Sequence, residues 1–193
     1  MYGDWSEWTI ELVGIVLTGI AIKFMDDYLD LEYDQCIGRK TAASKLGRAV
    51  LPYGLLMLAI GVFIAREVGL VLFLASYAIG MGHDLLEKMP TKLPGWAEGL
   101  IALAIGLVLA GPLLTLWGIL IIATIQFLDD LMDIYKDMQT GQRNTAVRFG
   151  GVETTLLTLI CLIFALLLSA EHSILVLVAT PVVHMIHDII GGD

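Results

Sequence analysis

The sequence has few of the residues that build disulfide frameworks, zinc sites or nucleic-acid interfaces. It contains two cysteines in 193 residues: Cys36 follows an acidic segment and Cys161 lies within an apolar run. These positions favour neither a disulfide nor a zinc site. Basic residues are also scarce, with 11 Lys and Arg against 20 Asp and Glu. Because nucleic-acid phosphates require a basic surface, this balance argues against nucleic acid as a partner.

The N-terminal segment, MYGDWSEWTIELVG, lacks the basic stretch and the small-residue cleavage site of a secretory signal peptide, so we expect none there. Charged residues amount to 16% of the chain, whereas hydrophobic residues make up 58% and the mean hydropathy is +0.83. Apolar runs long enough to span a bilayer, about 17 to 25 residues, recur along the chain. The composition excludes a soluble domain and predicts a single all-α transmembrane domain, residues 1–193, in a lipid bilayer.

The apolar runs predict seven transmembrane helices. Residues 99–128 are almost unbroken apolar. A single helix there would be about 45 Å long at 1.5 Å per residue, which exceeds the roughly 30 Å hydrocarbon core. Gly111-Pro112 interrupts this run, so we place a helix boundary there. The predicted helices are residues 8–26, 49–65, 67–84, 96–110, 112–130, 150–168 and 172–189.

The basic residues indicate how the chain crosses the membrane, because cytoplasmic loops are enriched in Lys and Arg. Nine of the 11 basic residues follow predicted helices 1, 3 and 5, which places them on one side. Only Arg66 lies clearly on the other side. We therefore predict a plasma-membrane protein with its N-terminus outside and its C-terminus inside. The nine basic residues on the cytoplasmic side are Arg39, Lys40, Lys45, Arg48, Lys88, Lys92, Lys136, Arg143 and Arg148.

Negative charge is concentrated in two segments, FMDDYLDLEYDQCIGRKTAASKLG at 24–47 and FLDDLMDIYKDMQTGQRNTAVRFG at 127–150. A shift of 103 residues aligns them without a gap, including two glycines and two basic residues of each, and a shift of 104 aligns His83-Asp84 with His187-Asp188. We predict two parallel three-helix repeats, about 8–88 and 112–191, joined by a bridging helix at 96–110. The aligned aspartates are Asp26, Asp27, Asp30 and Asp34 in the first motif and Asp129, Asp130, Asp133 and Asp137 in the second.

Each motif places four carboxylates within an arc of about 100° on one helix face. Like charges at this spacing repel one another, so the face needs a compensating cation. Mg²⁺ prefers one or two carboxylates together with water and substrate phosphate. Two such faces would hold two or three Mg²⁺ ions, or Mn²⁺, around a diphosphate. Basic residues close in sequence are candidates to bind the remaining phosphate oxygens: Lys23, Arg39, Lys40, Lys45, Arg143 and Arg148.

A solvated acidic surface without chemistry is the simplest alternative, but it requires neither paired motifs nor glycine and basic residues at fixed offsets.

The two aspartate motifs and the residues around them resemble the UbiA superfamily of intramembrane prenyltransferases. The resemblance rests on DDYLDLEYD, on DDLMDIYKD followed by GQRNTAVRFG, and on the segment that begins YAIGMGHDLLEKMPTKLPG, with Lys88 in the family's lysine position. It covers roughly residues 10–190 and is most specific at the two aspartate motifs.

The resemblance implies an all-helical bundle in which Mg²⁺ bridges aspartates to an isoprenyl diphosphate. Ionisation then leaves an allylic carbocation that an acceptor captures. Asp26 occupies a position where the family often has Asn, which implies binding through water. By the resemblance, the catalytic metal ligands would be Asp27, Asp30, Asp34, Asp130, Asp133 and Asp137.

Two features depart from the family pattern. Family members usually have nine helices, so an open side here would be filled by lipid, by the prenyl tail or by a second subunit. His83 and its counterpart His187 stand in aligned pairs, and His83 lies where the family tends to have Tyr. They would relay protons, orient the diphosphate or complete a metal shell. A hydrogen bond that ties a helix end to a loop is an equally good interpretation.

Other functions would use the same residues. Terpene cyclisation or diphosphate hydrolysis needs the same metal site without a separate acceptor. A divalent-cation transporter is the alternative from a different class. Transport requires acids near the membrane centre, whereas both motifs follow their apolar runs and are expected at the cytoplasmic interface. The accompanying basic residues also favour an anionic ligand. The acceptor and the donor chain length do not follow from the sequence.

Overall fold

The computed structural model describes residues 5–38, 40–80, 85–141 and 144–191. Within these ranges the chain is helical, and the only strand-like pairing is an isolated bridge between Lys88 and Pro94. The helices are α1 Trp5–Leu29, α2 Leu31–Ile37, α3 Ala42–Leu46, α4 Val50–Gly80, α5 Gly95–Ala110, α6 Pro112–Met132, α7 Ile134–Thr140, α8 Thr145–Phe149, α9 Gly151–Leu168 and α10 Ala170–Gly191. A single 3₁₀ turn, Gly47–Ala49, joins α3 to α4.

Five helical segments of the described chain are long and apolar enough to cross a membrane. Large apolar side chains such as Phe63, Val108 and Leu167 point outward, with 85%, 82% and 74% of their surface exposed. Such exposure suits lipid rather than water. The protein is therefore an all-α membrane protein, as predicted. The five segments are Ser6–Leu29, Ala42–Gly80, Pro112–Met132, Gly151–Leu168 and Ala170–Gly191, and the apolar α5 is shorter.

Helix α4 contains a sharp reversal at Arg66, whose backbone is non-helical at φ 48° and ψ −124°. A Cβ placed on Gly69 would lie 3.4 Å from the carbonyl oxygen of Gly61. In an uninterrupted helix these residues would be about 12 Å apart at 1.5 Å per residue. The chain therefore folds back on itself at Arg66, between the predicted helices 49–65 and 67–84, of which 81–84 lie outside the described residues.

A second reversal lies at Gly111, between α5 and α6. Gly111 has φ 81° and ψ 167°, and Pro112 occupies the first position of α6, where its missing N–H costs no helical bond. A Cβ placed on Gly106 would lie 3.1 Å from the Thr115 methyl carbon, so the two helices approach closely beside the turn. The predicted helix boundary at Gly111-Pro112 is confirmed.

The chain divides into two compact units. Unit 1 comprises Met1–Phe73 and Ile174–Asp193, and unit 2 comprises Leu74–Ser173. In unit 1, the glycine-rich face of α1 packs closely on α4: a Cβ on Gly14 would lie 2.8 Å from the Cβ of Ala65. Buried apolar side chains from α1, α3, α4 and α10 form a core cluster in this unit: Ile20, Phe24, Ala42, Ala43, Val50 and Val183.

Unit 2 is built on α6 packed along α9. Trp117 is almost fully buried, and its indole N–H donates to Ser173 Oγ over 2.9 Å. The hydroxyls of Thr124, Thr154 and Thr158 are buried and donate to carbonyl oxygens four residues earlier, over 2.8 to 2.9 Å. These bonds satisfy polar groups that have no access to water within an apolar unit.

The long helices follow the sequence prediction closely, with ends within four residues wherever they are described. The helical arc of each motif implied helical structure through Asp34 and Asp137, where the structure has the short helices α2 and α7, whereas α3 and α8 were not predicted. All of them lie in the acidic segments and the loops that follow, so they determine the local shape of the candidate site.

Candidate functional site

The first motif, residues 26–34, lies where α1 gives way to α2. Asp30 sits at the junction with φ −90° and ψ 3°, which interrupts the regular helix. The helical hydrogen bonding continues across it, because Asp30 N–H donates to Asp26 O over 3.0 Å and Asp34 N–H donates to Asp30 O over 2.9 Å. Gly38 then ends α2 in the left-handed conformation, φ 73°, which glycine adopts without steric cost.

The second motif, residues 129–137, has the same local structure in its own unit. Asp133 joins α6 to α7 with φ −92° and ψ 5°. Asp133 N–H donates to Asp129 O and Asp137 N–H donates to Asp133 O, each over 2.9 Å. Gly141 ends α7 with φ 73°, as Gly38 ends α2. The backbone of the motif therefore recurs at the spacing that the sequence alignment gave.

Asp27 attaches the first motif to the loop that follows it. Its Oδ2 accepts the backbone N–H of Ala42 over 2.9 Å, and Nε2 of His187 lies 2.8 Å from the same oxygen. Ala42 is the first residue of α3, whose N-terminus is capped reciprocally by Thr41 and Ser44. Only 7% of the Asp27 surface is exposed. This carboxylate therefore works as a buried clamp between α1, α3 and α10.

Asp130 makes the corresponding attachment in the second motif. Its Oδ2 accepts the backbone N–H of Thr145 over 2.9 Å, and its Oδ1 accepts from Gln126 Nε2 over 3.3 Å. Asn144 adds to the clamp, because its Nδ2 donates to Asp137 Oδ2 over 2.8 Å and to Asp130 O over 2.7 Å. Its Oδ1 caps α8 by accepting Val147 N–H over 2.9 Å.

The aspartates of each motif thus have two different environments. The second and fourth positions are buried: Asp27, Asp34, Asp130 and Asp137 expose 7%, 3%, 6% and 7% of their surface. The first and third positions face outward, with Asp26, Asp30 and Asp133 exposed and Asp129 half-buried. On the predicted helical arc, the second and fourth positions form one edge and the first and third positions form the other. The first of these edges is buried, and the second is more exposed.

The predicted phosphate-binding residues differ in their placement. Lys40, Lys45, Lys88 and Arg148 are exposed, and Lys23 is half-buried. Arg148 lies over the Phe149 ring, 5.2 Å from its centroid. Three predicted residues, Arg39, Arg143 and His83, lie outside the described residues.

His187 was predicted to bind substrate, relay protons or tie a helix end to a loop. Its Nε2 contacts Asp27, its Nδ1 lies 3.7 Å from Asp188 Oδ1, and its side chain is 12% exposed. The Asp27 contact links the C-terminal part of α10 to the end of α1. Of the predicted roles, it corresponds to the structural one, in which His187 ties a helix end to another part of the chain. A role toward substrate stays a prediction.

Sequence reasoning did not identify Asn144 or the backbone N–H groups of Ala42 and Thr145. One signal was available. Thr41 and Asn144 align at the 103-residue shift, and both are residue types that favour the N-cap of a helix. That pairing predicts a short helix after each motif, and its first N–H would then be a donor beside the motif.

Carboxylate oxygens are the donors that Mg²⁺ prefers, and the outward pairs, Asp26 with Asp30 and Asp129 with Asp133, are one helical turn apart in each motif. Lys136 Nζ lies 3.7 Å from Asp133 Oδ2 and would compete with a metal there. Among the described residues, no group of three or more His, Cys, Asp or Glu side chains forms a metal cage. Carboxylate oxygens are thus the donor type that the outward pairs offer to a cation.

Cys36 is an exposed free cysteine and Cys161 is a half-buried one. Comparison with known proteins adds no further identification, because no family model, no curated protein and no solved structure matches the chain.

Proposed function

We propose that this protein is a UbiA-like intramembrane prenyltransferase, which ionises an isoprenyl diphosphate and transfers the prenyl group to an acceptor. The observation that carries the proposal is the repeated local structure of the two aspartate motifs. In each, one buried carboxylate clamps the following loop and two other carboxylates remain on the outer side. A simple acidic surface would not need the same clamp twice.

Each pair of outward aspartates, Asp26 with Asp30 and Asp129 with Asp133, would bind Mg²⁺, with two or three ions in all. Bound Mg²⁺ would neutralise the charge that develops on the diphosphate leaving group. Asp34 and Asp137, implied as ligands by the family resemblance, are buried, so they are better suited to supporting the outward aspartates than to direct ligation. This arrangement follows the second-shell support that metal sites commonly require.

The clamps give the chain a way to place cations near the diphosphate. Asp27 fixes the start of α3, which carries Lys45, and Asp130 fixes the start of α8, which carries Arg148. Both basic side chains are exposed. A loop held by a buried carboxylate presents its cation with little loss of conformational entropy on binding. We propose that these residues, with Lys40 and Lys88, bind the phosphate oxygens that the metal leaves free.

We further propose that the chain crosses the membrane seven times as two parallel three-helix repeats and a bridging helix. The reversals at Arg66 and Gly111 support this count, because each divides an apolar run that is too long for one crossing. The motifs would then lie at the cytoplasmic interface, and the apolar helices would hold the prenyl chain and exclude water from the reacting carbon. Any open side would be closed by lipid or by a second subunit.

The test is to incubate the purified protein with Mg²⁺ and radiolabelled isoprenyl diphosphates of several lengths, and to separate the lipid products by chromatography. We expect release of pyrophosphate and a prenylated product with wild type, and loss of both in Asp30→Ala and in Asp133→Ala. Glu32→Ala is the matched control, because Glu32 is an exposed acid of the same segment without an aspartate partner in the second motif.

The products distinguish the alternatives. A prenyl alcohol without any acceptor adduct would indicate a hydrolase, and a cyclic hydrocarbon would indicate a cyclase. If no diphosphate is consumed while Asp30→Ala abolishes Mg²⁺ flux into proteoliposomes, the protein is a cation transporter and the prenyltransferase proposal is wrong.

A further inference from the structure

A buried carboxylate in unit 2 belongs to neither motif. Glu98 lies in the first turn of α5 and exposes 8% of its surface. It accepts hydrogen bonds from two hydroxyls, Tyr77 near the end of α4 and Thr91 in the loop between α4 and α5. Burying a charge is costly unless it is well compensated. Here the compensation comes from two donors and from the N-terminal end of α5, where negative charge is favoured.

The loop that Glu98 holds is a tight hairpin, residues 85–94. Its sides are joined by the bridge between Lys88 and Pro94, and Met89 N–H donates to Leu93 O over 2.8 Å. Its base is closed onto α5, since Trp96 N–H donates to Leu85 O over 3.1 Å. The register of the hairpin is therefore fixed at both ends.

The tip of the hairpin is strained, and Glu98 supports it. Lys92 has φ 70°, a left-handed conformation that costs a residue with a side chain about 1 kcal/mol or more. Leu93 N–H donates to Thr91 Oγ1 over 3.3 Å, and the Thr91 hydroxyl donates onward to Glu98. This chain of hydrogen bonds joins Thr91 and Leu93, the two neighbours of the strained residue, to Glu98. Lys88 and Lys92 are both exposed on the same hairpin.

We propose that Glu98 is a positioning residue that holds the 85–94 hairpin so that Lys88 and Lys92 bind a phosphate group. The inference rests on the proposed function, because the phosphate it assigns is that of the isoprenyl diphosphate. A lipid headgroup offers the same chemistry, and the experiment below separates the two sources. Glu98 does not touch the substrate; it acts through Thr91 and the backbone of the hairpin.

The central comparison is Thr91→Val against Thr91→Ser. Valine keeps the shape but removes the hydroxyl, and serine retains it. We expect Thr91→Val to raise KM for the isoprenyl diphosphate about fivefold to tenfold, with kcat within about twofold, because one charge-assisted hydrogen bond that positions a binding residue is lost. Thr91→Ser should restore KM. Thr155→Val is the matched control, because the exposed Thr155 hydroxyl bonds only within α9, to Gly151 O.

A double-mutant cycle tests whether the effect acts through the lysine. If Glu98 positions Lys88, Thr91→Val adds little to the KM of Lys88→Ala, and the two changes are strongly non-additive. Equal effects in both backgrounds, or a fall in kcat with KM unchanged, would reduce Glu98 to a fold-stabilising residue and overturn the proposal.

Binding measurements keep the inference separate from the enzyme assay. The affinity of detergent-purified protein for inorganic pyrophosphate with Mg²⁺, and its preference for phosphatidylglycerol over phosphatidylcholine in nanodiscs, are measured for wild type and both Thr91 variants. A loss in Thr91→Val that is confined to pyrophosphate supports the substrate as the source, and one confined to phosphatidylglycerol supports the headgroup. No loss in either arm refutes the positioning role. Thr91-dependent binding without turnover would refute only the proposed function.

Discussion

Replacing Asp27 by Ala should destabilise the protein by about 3–5 kcal/mol, whereas replacing the adjacent, exposed Asp26 should cost no more than about 1 kcal/mol. The difference follows from their environments. Asp27 Oδ2 takes two contacts, at 2.9 Å from Ala42 N and 2.8 Å from His187 Nε2, in a site that is 7% exposed. Its removal leaves a buried peptide N–H without an acceptor, which alone costs about 1–3 kcal/mol, and a buried imidazole beside it.

The assay is reversible unfolding in mixed detergent micelles, followed by circular dichroism, together with thermal melting. For a chain of this size, about 1 kcal/mol corresponds to roughly 2–4 °C in Tm, so Asp27→Ala should melt about 6–20 °C below wild type. His187→Ala measured alone and with Asp27→Ala gives the coupling energy between the two side chains, which should be favourable because they share one hydrogen bond.

Activity provides the complementary measurement. Asp26→Ala should lose most diphosphate consumption while unfolding like wild type, since Asp26 lies on the outward edge of the motif. If Asp26→Ala proves as destabilising as Asp27→Ala, or if both leave the unfolding midpoint unchanged, the division of each motif into a buried clamp and an outward ligand edge is wrong.

Three further changes test the local structure. Asn144→Ala should cost about 2–3 kcal/mol of unfolding free energy, measured by chemical denaturation, because three hydrogen bonds, one of which caps α8, depend on its amide. Arg66→Gly should raise Tm by a few degrees, since glycine relieves the strain at φ 48°; a fall would show that the reversal depends on the arginine side chain. Gly61→Ala should destabilise by about 1–3 kcal/mol, because its Cβ would lie 2.5 Å from Thr18 Oγ1. Gly80→Ala should be tolerated much better, because a Cβ there would meet no heavy atom of the described residues within 4 Å.

The long helices were predictable because hydropathy and length determine them almost alone in a membrane. The boundary at Gly111-Pro112 followed from the same argument, since proline cannot continue a helix from the preceding turn. The short helices α3 and α8 could not be predicted, because hydropathy and length say little about so short a segment. Five residues contain too little periodicity to reveal a helix, and only their N-caps, Thr41 and Asn144, marked where each begins.

Sequence periodicity also located the candidate site but not the roles within it. The helical arc places Asp26 at one edge of the motif and Asp27 at the other, but it does not indicate which of the two edges is buried. That choice depends on what packs there: the α3 N-terminus and the end of α10, whose His187 is 160 residues away in the chain. A contact over that distance leaves no trace in local patterning. For the same reason the Glu98 network was missed, because it joins Tyr77, Thr91 and Glu98 across three elements.

The two clamps share a backbone donor and not a side-chain type. Ala42 and Thr145 have nothing in common except their place as the first residue of a short helix, each with an N–H aimed at the aspartate fifteen residues earlier. The N–H belongs to the peptide and is present whichever side chain the residue carries, except proline. A comparison of side chains therefore does not reveal that the clamp needs a backbone N–H at this position. Proline is the one natural residue that lacks this N–H.

Thr145→Pro tests this directly. Proline is favourable at the first position of a helix, and Asn144 already has the extended backbone, φ −145° and ψ 130°, that a residue before proline prefers. The substitution should therefore preserve α8 while removing the N–H that Asp130 accepts. We expect Thr145→Pro to be less stable than Thr145→Ala by about 1–3 kcal/mol in denaturant unfolding, with KM for the diphosphate raised through the displaced Arg148. Equal stability and equal KM in the two variants would show that the peptide N–H does not hold the loop, and the clamp would then have to reside in Asn144 alone.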